Sequence, residues 1–303
     1  MFEKAETGHS EKYFTEDRNH WFNQDFLDLM AKRWGLSQYS TVLDVGAGMC
    51  HWSKLLVPYL KTGSVFTALD KDNKWSRGSA ETERYFQRHG ASIEFVQGNA
   101  HALPFKDNSF DVVTCQTVLI HLKNPELALR EMLRVVKKGG IVICSEPNNR
   151  IQPLIQDTTN LDDDIDEVLL RVKQNLVYEH FKLKQNNGNN SFGDLLSGTM
   201  NLLGFTEIQS YLNDKLVSIF PPYGTVEQQA KINSFLKWGK TDSEKMEFEK
   251  EYQYASAQNA YPDFLKNNKS LSSDNKVVKS LRNQTFFSSG ASLLYLISGR
   301  KEE

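Results

Sequence analysis

The chain has 303 residues, 39% of them hydrophobic and 24% charged, enough to bury one large elaborated domain or two modest ones. That composition excludes wholesale disorder and a fibrous class. Lys and Arg (36) nearly balance Asp and Glu (38), so the net charge of -2 supplies no global basic field for nucleic acid or an anionic membrane surface, although a local basic patch stays open.

The N-terminal stretch MFEKAETGHSEKYF lacks the apolar centre of a signal peptide. No apolar run approaches the roughly 20 residues needed to span a bilayer, so the expected location is the cytoplasm, with no membrane partner. Cys50, Cys115 and Cys144 cannot all pair and lack metal-site spacing; they read as reduced thiols in or beside core strands, and no metal is expected. Residues 9–34 place Tyr13, Phe14, Trp21, Phe22, Phe26 and Trp34 among charges, a pattern that suits helices. From Thr41 onward strand and helix signals alternate. TVLDV leads into a glycine turn and a helical stretch with Trp52, Leu55 and Leu56 on one side; SVFTALD, a helix over 74–88, SIEFV, a loop and FDVVT follow. A helix over 125–136, the pair Gly139-Gly140 and the strand IVICS complete the run. Repeated β-α-β of this kind predicts a parallel sheet covered by helices. Asn124 before Pro125 is the expected N-cap, and the glycine pair the expected left-handed stop.

Beyond Pro147 the character changes. Leu161, Ile165, Val168, Leu169, Val172, Leu176 and Phe181 recur at three- and four-residue steps, marking a long amphipathic helix that ends before NNGNN. A helix over 193–203 stopped by Gly204, the strand FTEIQSYL, a polar and mostly helical stretch over 225–284, and a last apolar strand ASLLYLIS are expected after it. No internal repeat or long low-complexity tract is visible.

The segment richest in chemistry is Val42-Leu43-Asp44-Val45-Gly46-Ala47-Gly48, a buried strand that ends in an acid and enters a glycine turn ahead of a helix. Glycine lets a ligand approach the backbone, and a helix start presents unpaired N–H groups; a tight turn that binds nothing would look the same. Asp70 closes the second strand, near the roughly 20-residue spacing at which an acid in such folds meets ribose hydroxyls, and an acid there also serves as a helix cap. A dinucleotide fingerprint would require glycine at position 51, where the chain has His51.

By contrast, Asp44 ahead of Gly46 with Asp70 downstream resembles the first two motifs of class I S-adenosylmethionine-dependent methyltransferases. The resemblance continues through Gln97-Gly98-Asn99-Ala100, where the family places an acid and a small residue against adenine and where Asn99 replaces the acid. Its amide still offers a carbonyl to the adenine amino group. Leu103-Pro104-Phe105 and Ser109-Phe110-Asp111-Val112-Val113 look like the family's loop and fourth strand, with Cys115, Gln116 and Thr117 at the edge where the methyl group is presented. His121-Leu122-Lys123-Asn124-Pro125 with Leu129, Glu131, Arg134-Val135-Val136 and Gly139-Gly140 is similar to the small-molecule branch. The chain departs from the family at Cys50, where a third glycine is common, and at Lys71, where an apolar neighbour of adenine often lies; each departure bears on affinity.

The resemblance implies a Rossmann-like α/β fold with a seven-stranded sheet, mostly parallel with the last strand antiparallel, over residues 36–303. Helical insertions at 151–190 and 222–285 would cap the carboxyl edge of the sheet. It also implies S-adenosylmethionine as cofactor, held by Asp44, Gly46, Ala47, Gly48, Asp70, Lys71, Asn99, Ala100, Gln116 and Thr117, with Asp44 on its amino-acid portion and Asp70 on its ribose. Residues 1–35 would form a lid carrying Tyr13, Phe14, His20, Trp21 and Phe22, or dock an ordinary N-terminal helix onto the core. Candidate bases are few. His121 follows the fourth strand, where it either takes a proton from the acceptor or packs against the next helix. Glu146 follows the fifth strand, where it either meets substrate or caps a loop. Phe220-Pro221-Pro222-Tyr223 shares the proline-proline-aromatic order of amino-group methyltransferases, but its place and first residue differ, so it reads as a turn. The acidic run 162–167 reads as a helix start.

The expected function is methyl transfer to oxygen or nitrogen of a small metabolite. Methylation of RNA or protein, which would need an open or cationic groove, and a catalytically inactive cofactor-binding regulatory module are the alternatives; the oligomeric state stays open.

Overall fold

The computed structural model describes residues 16–238, 273–291 and 293–302. Seven strands form one sheet: β1 (Thr41–Val45), β2 (Val65–Asp70), β3 (Ser92–Gln97), β4 (Phe110–Gln116), β5 (Val136–Asn148), β6 (Thr206–Leu212) and β7 (Leu293–Arg300). Their spatial order is β3-β2-β1-β4-β5-β7-β6. The first five pair with one another in parallel, and β7 runs antiparallel to β5 on one side and to β6 on the other. The order reverses at β1 and β4, so the carboxyl ends of those two strands open a crevice between them, as in other open α/β sheets.

The central strands are apolar on both faces, and alternation along them decides which helix layer each residue joins. Leu43, Val45, Val113, Cys115, Val142 and Cys144 point into one layer. They meet α4 (Pro125–Val135) through Leu129 and Met132 and α6 (Gly193–Leu202) through Leu196 and Met200. Val42, Val112, Ile141 and Ile143 point the other way. They meet α1 (Gln24–Trp34), α2 (His51–Leu56) and α3 (Ala80–Arg88) through Met30, Trp34, Leu56 and Phe86. Phe66 is fully buried there with its ring edge-on to Phe86 at 4.8 Å, and burying each such side chain contributes about 2–3 kcal/mol. Cys50, Cys115 and Cys144 are all buried free thiols.

Two expected elements take a different form. The helix expected over 74–88 is split: a 3-10 turn at Trp75–Arg77 ends at Gly78, whose φ of +67° only glycine adopts readily, and α3 starts afresh behind Ser79. The Ser79 hydroxyl accepts from Thr82 N at 3.1 Å and caps the new helix. The Gly139-Gly140 pair does not stop α4, which passes at Val135 directly into β5. The pair instead sits in a bulge, where the β4–β5 register jumps from Phe110↔Val136 to Val112↔Ile141. Gly139 takes φ +71°, and a Cβ on Gly140 would lie 2.7 Å from the Asp111 carbonyl oxygen. Asn124 stands at the cap position, yet its side chain makes no capping hydrogen bond; Pro125 sets the first turn.

The long amphipathic helix is α5 (Ile165–Lys184). Its start uses two acids of the run 162–167 in a reciprocal cap: Glu167 N donates to Asp164 Oδ1 at 2.9 Å and Asp164 N to Glu167 Oε2 at 3.1 Å. Farther along, α7 (Val226–Trp238) and α8 (Ser273–Arg282) share a small apolar cluster of Ile219, Tyr223, Ile232, Leu281 and Phe286. Tyr223 OH donates to Phe286 O at 3.1 Å, and Pro221 and Pro222 form a turn. Among the described residues no helix is long and apolar enough to cross a membrane.

At the opposite edge from the crevice, Asp111 ties β1, β4 and β5 together. Its Oδ2 accepts from Ser40 N and Thr41 N, both at 2.9 Å, and its Oδ1 from Lys137 Nζ at 2.7 Å. Burial acts to raise the pKa of this carboxyl, but Lys137 and the donors of Ser40 and Thr41 outweigh it and hold the group well below the usual carboxylate range. A depressed carboxylate pKa gives stability that is complete above the unfolded value of about 3.9 and is lost as pH falls through the folded value. Asp111→Ala is therefore expected to lower the unfolding free energy at pH 7 by about 1–3 kcal/mol, measured by urea titration, with the difference from wild type shrinking below about pH 4.

Candidate active site

The crevice is built around the turn from Val45 to His51. Gly46 N and Ala47 N both donate to Leu69 O, at 2.7 and 3.0 Å, which folds the turn back onto the end of β2. Gly46 and Gly48 take φ of +70° and +51°, and a Cβ on Gly46 would sit 2.6 Å from Val118 Cγ2. Cys50 takes the same left-handed conformation at φ +59° without being glycine, at a cost of about 1–2 kcal/mol. Close packing of its thiol, 1% exposed, accompanies that strain.

Alternation along β1 sends Asp44 to the α2 side, where its carboxylate is 1% exposed and accepts a hydrogen bond from the Ser53 hydroxyl. Burial raises its pKa from 3.8 to about 7; Ser53 opposes the shift and the nearby Asp70 adds to it. A cleft opens over this carboxylate, lined also by Arg18, Gly46, Ala47, His51 and Gln116. Arg18 comes from the 3-10 turn Glu16–His20; its guanidinium donates to Thr117 Oγ1 at 3.4 Å and lies 4.8 Å from the centre of the Trp21 ring. Burial lowers the Arg18 pKa, and Asp17 opposes that shift.

His51 Nδ1 lies 2.9 Å from Asn19 Oδ1, which can only accept, so the ring proton resides on Nδ1. Nε2 is then a lone-pair acceptor, buried and without a hydrogen-bond partner. Burial, followed by the Arg18 and Lys54 charges, lowers the His51 pKa to about 4, so the ring is neutral at physiological pH. The cleft floor therefore combines a guanidinium, a buried carboxyl and a neutral imidazole acceptor. That set complements a zwitterionic amino-acid group. Trp52 backs it, with its indole donating to Thr114 Oγ1 at 2.7 Å and its ring 5.2 Å from Phe22.

Asp70 stands beside the turn. Its Oδ2 accepts from Gly48 N and its Oδ1 from Asp72 N, both at 2.9 Å, and the Lys71 backbone N–H adds a third donor, which leaves the carboxylate acceptor capacity for a hydroxyl ligand. Lys71 next to it is exposed, and its carbonyl accepts from Gln97 Nε2 at 3.2 Å. Past β3, Asn99 is exposed with Oδ1 accepting from His101 N at 3.0 Å, and Ala100 is buried behind it. Asn99 thus keeps its NH₂ end free of that local turn. Gln116 reaches the cleft from the end of β4, and Thr117 holds φ +52° while its N donates to Ser145 O at 2.8 Å.

Other candidates lie outside the cleft lining. Glu146 is fully buried and accepts from Val118 N, Leu119 N and Ile120 N at 2.8, 2.9 and 3.4 Å, so its carboxyl anchors the turn after β4. Burial raises its pKa to about 7 against those three donors. His121, at the end of that turn, receives the Lys182 ammonium on Nδ1 at 3.3 Å; the neutral ring then carries its proton on Nε2 and has no open lone pair. Phe22 is buried against Trp52, Trp21 Nε1 donates to Asp17 Oδ2 at 3.2 Å, and His20 Nδ1 lies 4.0 Å from Glu227 of α7. Tyr13 and Phe14 lie outside the described residues. Sequence reasoning passed over Arg18, Ser53 and the ligand-facing role of His51. Arg18 meets Thr117 across 99 positions of chain, which no local pattern marks. Ser53 was accessible as the polar residue on the buried side of α2, facing the Asp44 strand end.

Residues 43–144 match a family model described as a methyltransferase domain. Demethylmenaquinone methyltransferase of Staphylococcus haemolyticus is 34% identical over 122 residues, 40% of this chain and 49% of that protein. The enzyme of the same name from Renibacterium salmoninarum is 42% identical over 105 residues, 35% of this chain and 40% of that protein. The match to YcgJ of Bacillus subtilis, named an uncharacterized methyltransferase, is 28% over 156 residues, covering 52% of this chain and 57% of that protein. The chain thus spans about half the length of the curated relatives it matches. The crystal structure of YcgJ superimposes with a TM-score of 0.52 at 18% identity, covering 93% of this chain and all of that one. A candidate methyltransferase from Bacillus halodurans gives a TM-score of 0.51 at 19% identity over 92% of this chain. These structural likenesses carry the fold.

The electrostatics of the cleft set a stability test. A carboxyl whose folded pKa, about 7, lies above its unfolded value destabilises the ligand-free fold progressively as pH rises between the two. Asp44→Asn is expected to be more stable than wild type at pH 8 by about 1–3 kcal/mol and equal to it near pH 4, read from thermal melts at the two pH values.

Proposed function

Residues 43–144 form a class I S-adenosylmethionine-dependent methyltransferase domain, and from that premise we propose that the chain transfers the cofactor's methyl group to oxygen or nitrogen of a small molecule. The observation that carries this reading is the floor of the cleft. Arg18, Asp44 and the unpartnered His51 Nε2 converge beside the glycine turn and match the carboxylate and ammonium of the cofactor's amino-acid end. Asp70 retains lone pairs for ribose hydroxyls, with Lys71 at the rim. Asn99 and Ala100 flank the adenine position, and Gln116 with Thr117 border the end from which the methyl group leaves.

When bound, S-adenosylmethionine supplies a methyl group activated by its sulfonium charge. What the chain's own residues must do is orient the reacting groups and exclude water. Arg18 does part of both, because the N-terminal segment that carries it lies over the cleft and touches the β4 edge through Thr117. That contact supports a lid role for the described part of the N-terminal segment around Glu16–His20. An ammonium against Asp44 favours the ionised carboxylate and removes the burden that burial places on it. Lys182 of α5 donates to Ile120 O at 3.1 Å, and Ser191 Oγ accepts from Asn149 N at 3.0 Å, so α5 and the loop after it close over the carboxyl ends of β4 and β5. This closure supports a capping role for the insertion at 151–190. Proton removal by a dedicated side chain is not required, since alignment alone provides much of the acceleration in such a displacement.

Calorimetric titration with S-adenosylmethionine tests the reading. Saturable binding is expected, with Arg18→Ala weakening it about 10- to 100-fold, equivalent to about 1.4–2.7 kcal/mol. A folded wild-type protein that binds neither the cofactor nor S-adenosylhomocysteine at millimolar concentration would sink the proposal.

A further inference from the structure

Under α5 lies a second polar cluster, separate from the cofactor cleft. Glu179 is 2% exposed and Lys182, one turn later on the same helix, is 9% exposed. The Lys182 ammonium is directed at three acceptors: Ile120 O at 3.1 Å, His121 Nδ1 at 3.3 Å and Asn190 Oδ1. Both carboxylate oxygens of Glu179, by contrast, are buried without a hydrogen-bond partner among the described residues. The Asn190 side chain, whose oxygen accepts from Lys182, acts on that carboxylate as a hydrogen-bonding neighbour that lowers its pKa, yet neither Glu179 oxygen has a partner within hydrogen-bond geometry among the described residues. The loop after α5 packs closely on the Ile120–His121 turn. Gly188, at φ +88°, lies so close to Ile120 that an added Cβ would stand 2.3 Å from its carbonyl oxygen.

A buried carboxylate without partners is costly, and the chain could have avoided the cost with an apolar residue at 179. Burial raises the pKa of Glu179, opposed by Asn190, Lys182 and Arg150. With the Lys182 ammonium directed at Ile120 O, His121 Nδ1 and Asn190 Oδ1, an incoming donor would complete the Glu179 site. A charged N–H donor does so best, because charge-assisted hydrogen bonds are about twice as strong as neutral ones. The position bears on chemistry as well: Lys182 holds Ile120 O and His121 Nδ1, and those residues end the turn that begins at Gln116, itself a lining residue of the cofactor cleft.

We propose that this cluster is the recognition site for an amine-bearing methyl acceptor, with Glu179 receiving the acceptor's N–H donors and Lys182 holding the Ile120–His121 wall in place. The proposal rests on the methyltransferase reading and narrows its substrate to a small polar amine, a class unlike the quinone in the names of the partial relatives. Glu179 is here a specificity residue, and the nitrogen it recognises need not be the atom methylated.

Ligand-observed NMR on the full chain saturated with S-adenosylhomocysteine provides the test, using two matched pairs of probes: benzylamine with benzyl alcohol and n-butylamine with n-butanol. The amines are expected to bind wild type at least about tenfold more tightly than the alcohols, a difference of about 1.4 kcal/mol. Glu179→Gln, which preserves volume, is expected to abolish that preference while S-adenosylhomocysteine affinity by calorimetry stays unchanged. Equal binding of amine and alcohol by wild type, no amine binding at all, or a preference that survives in Glu179→Gln would each overturn the proposal. The wild-type comparison decides even where the variant fails to fold. Failure of wild type to bind S-adenosylhomocysteine is a different result, which removes the underlying reading.

Discussion

The Leu69 carbonyl and the Asp70 carboxylate at the end of β2 hold the turn that the rest of the crevice depends on. Gly46, Ala47 and Gly48 all donate backbone N–H groups to this strand end, at 2.7, 3.0 and 2.9 Å. With those bonds made, the turn leaves β1 in left-handed conformations, α2 starts at His51, and Trp52 and Ser53 face the sheet. Ser53 then reaches Asp44, and His51 reaches the Arg18 turn. A turn released from β2 would misplace all of these together. The interaction is therefore structural and functional at once: a strand end accepts from the same loop that approaches the ligand.

Three carboxyls show how surroundings, not residue type, assign roles within one sheet. Asp111 lies among backbone donors and a lysine, stays ionised and joins strand beginnings. Glu146, at a strand's carboxyl end, has three backbone donors from one turn and holds that turn against the sheet. Asp44 draws on Ser53, through its hydroxyl and its backbone N–H, and faces an open cleft, so it has fewer partners than either. A short-handed buried acid weakens the empty protein and strengthens a cationic complex, the trade expected where binding matters more than the stability of the free state. Glu179 carries the same signature in a different place, under the cap.

The N-terminal aromatic segment illustrates why both readings of a pattern can hold in part. Phe22 docks in the core against Trp52, as an ordinary N-terminal helix would have it, whereas Arg18 four residues earlier enters the cleft. Aromatic residues among charges announce packing by their bulk. The long cation between them announces nothing, because its partner Thr117 is brought near only by the closed sheet.

The sequence by itself determined the alternation of strands and helices and the turn with its two acids, because these depend on local period, on apolar content and on glycine, whereas the strand order whose reversal opens the crevice is a property of the assembled sheet. The split of the 74–88 helix is also written locally, in Gly78-Ser79, a positive-φ glycine followed by a helix cap. Other features rest on contacts between distant segments. The glycine pair at 139–140 serves a bulge against Asp111 rather than a helix end, since only the register of β5 on β4 creates that crowding. Glu146 became a turn anchor once backbone donors were folded around it, and His51 a neutral acceptor through burial, reinforced by the Arg18 charge. The tertiary structure alone decided which charges are buried with partners and which without. That distinction is a property of the assembled surroundings, and no single segment carries it.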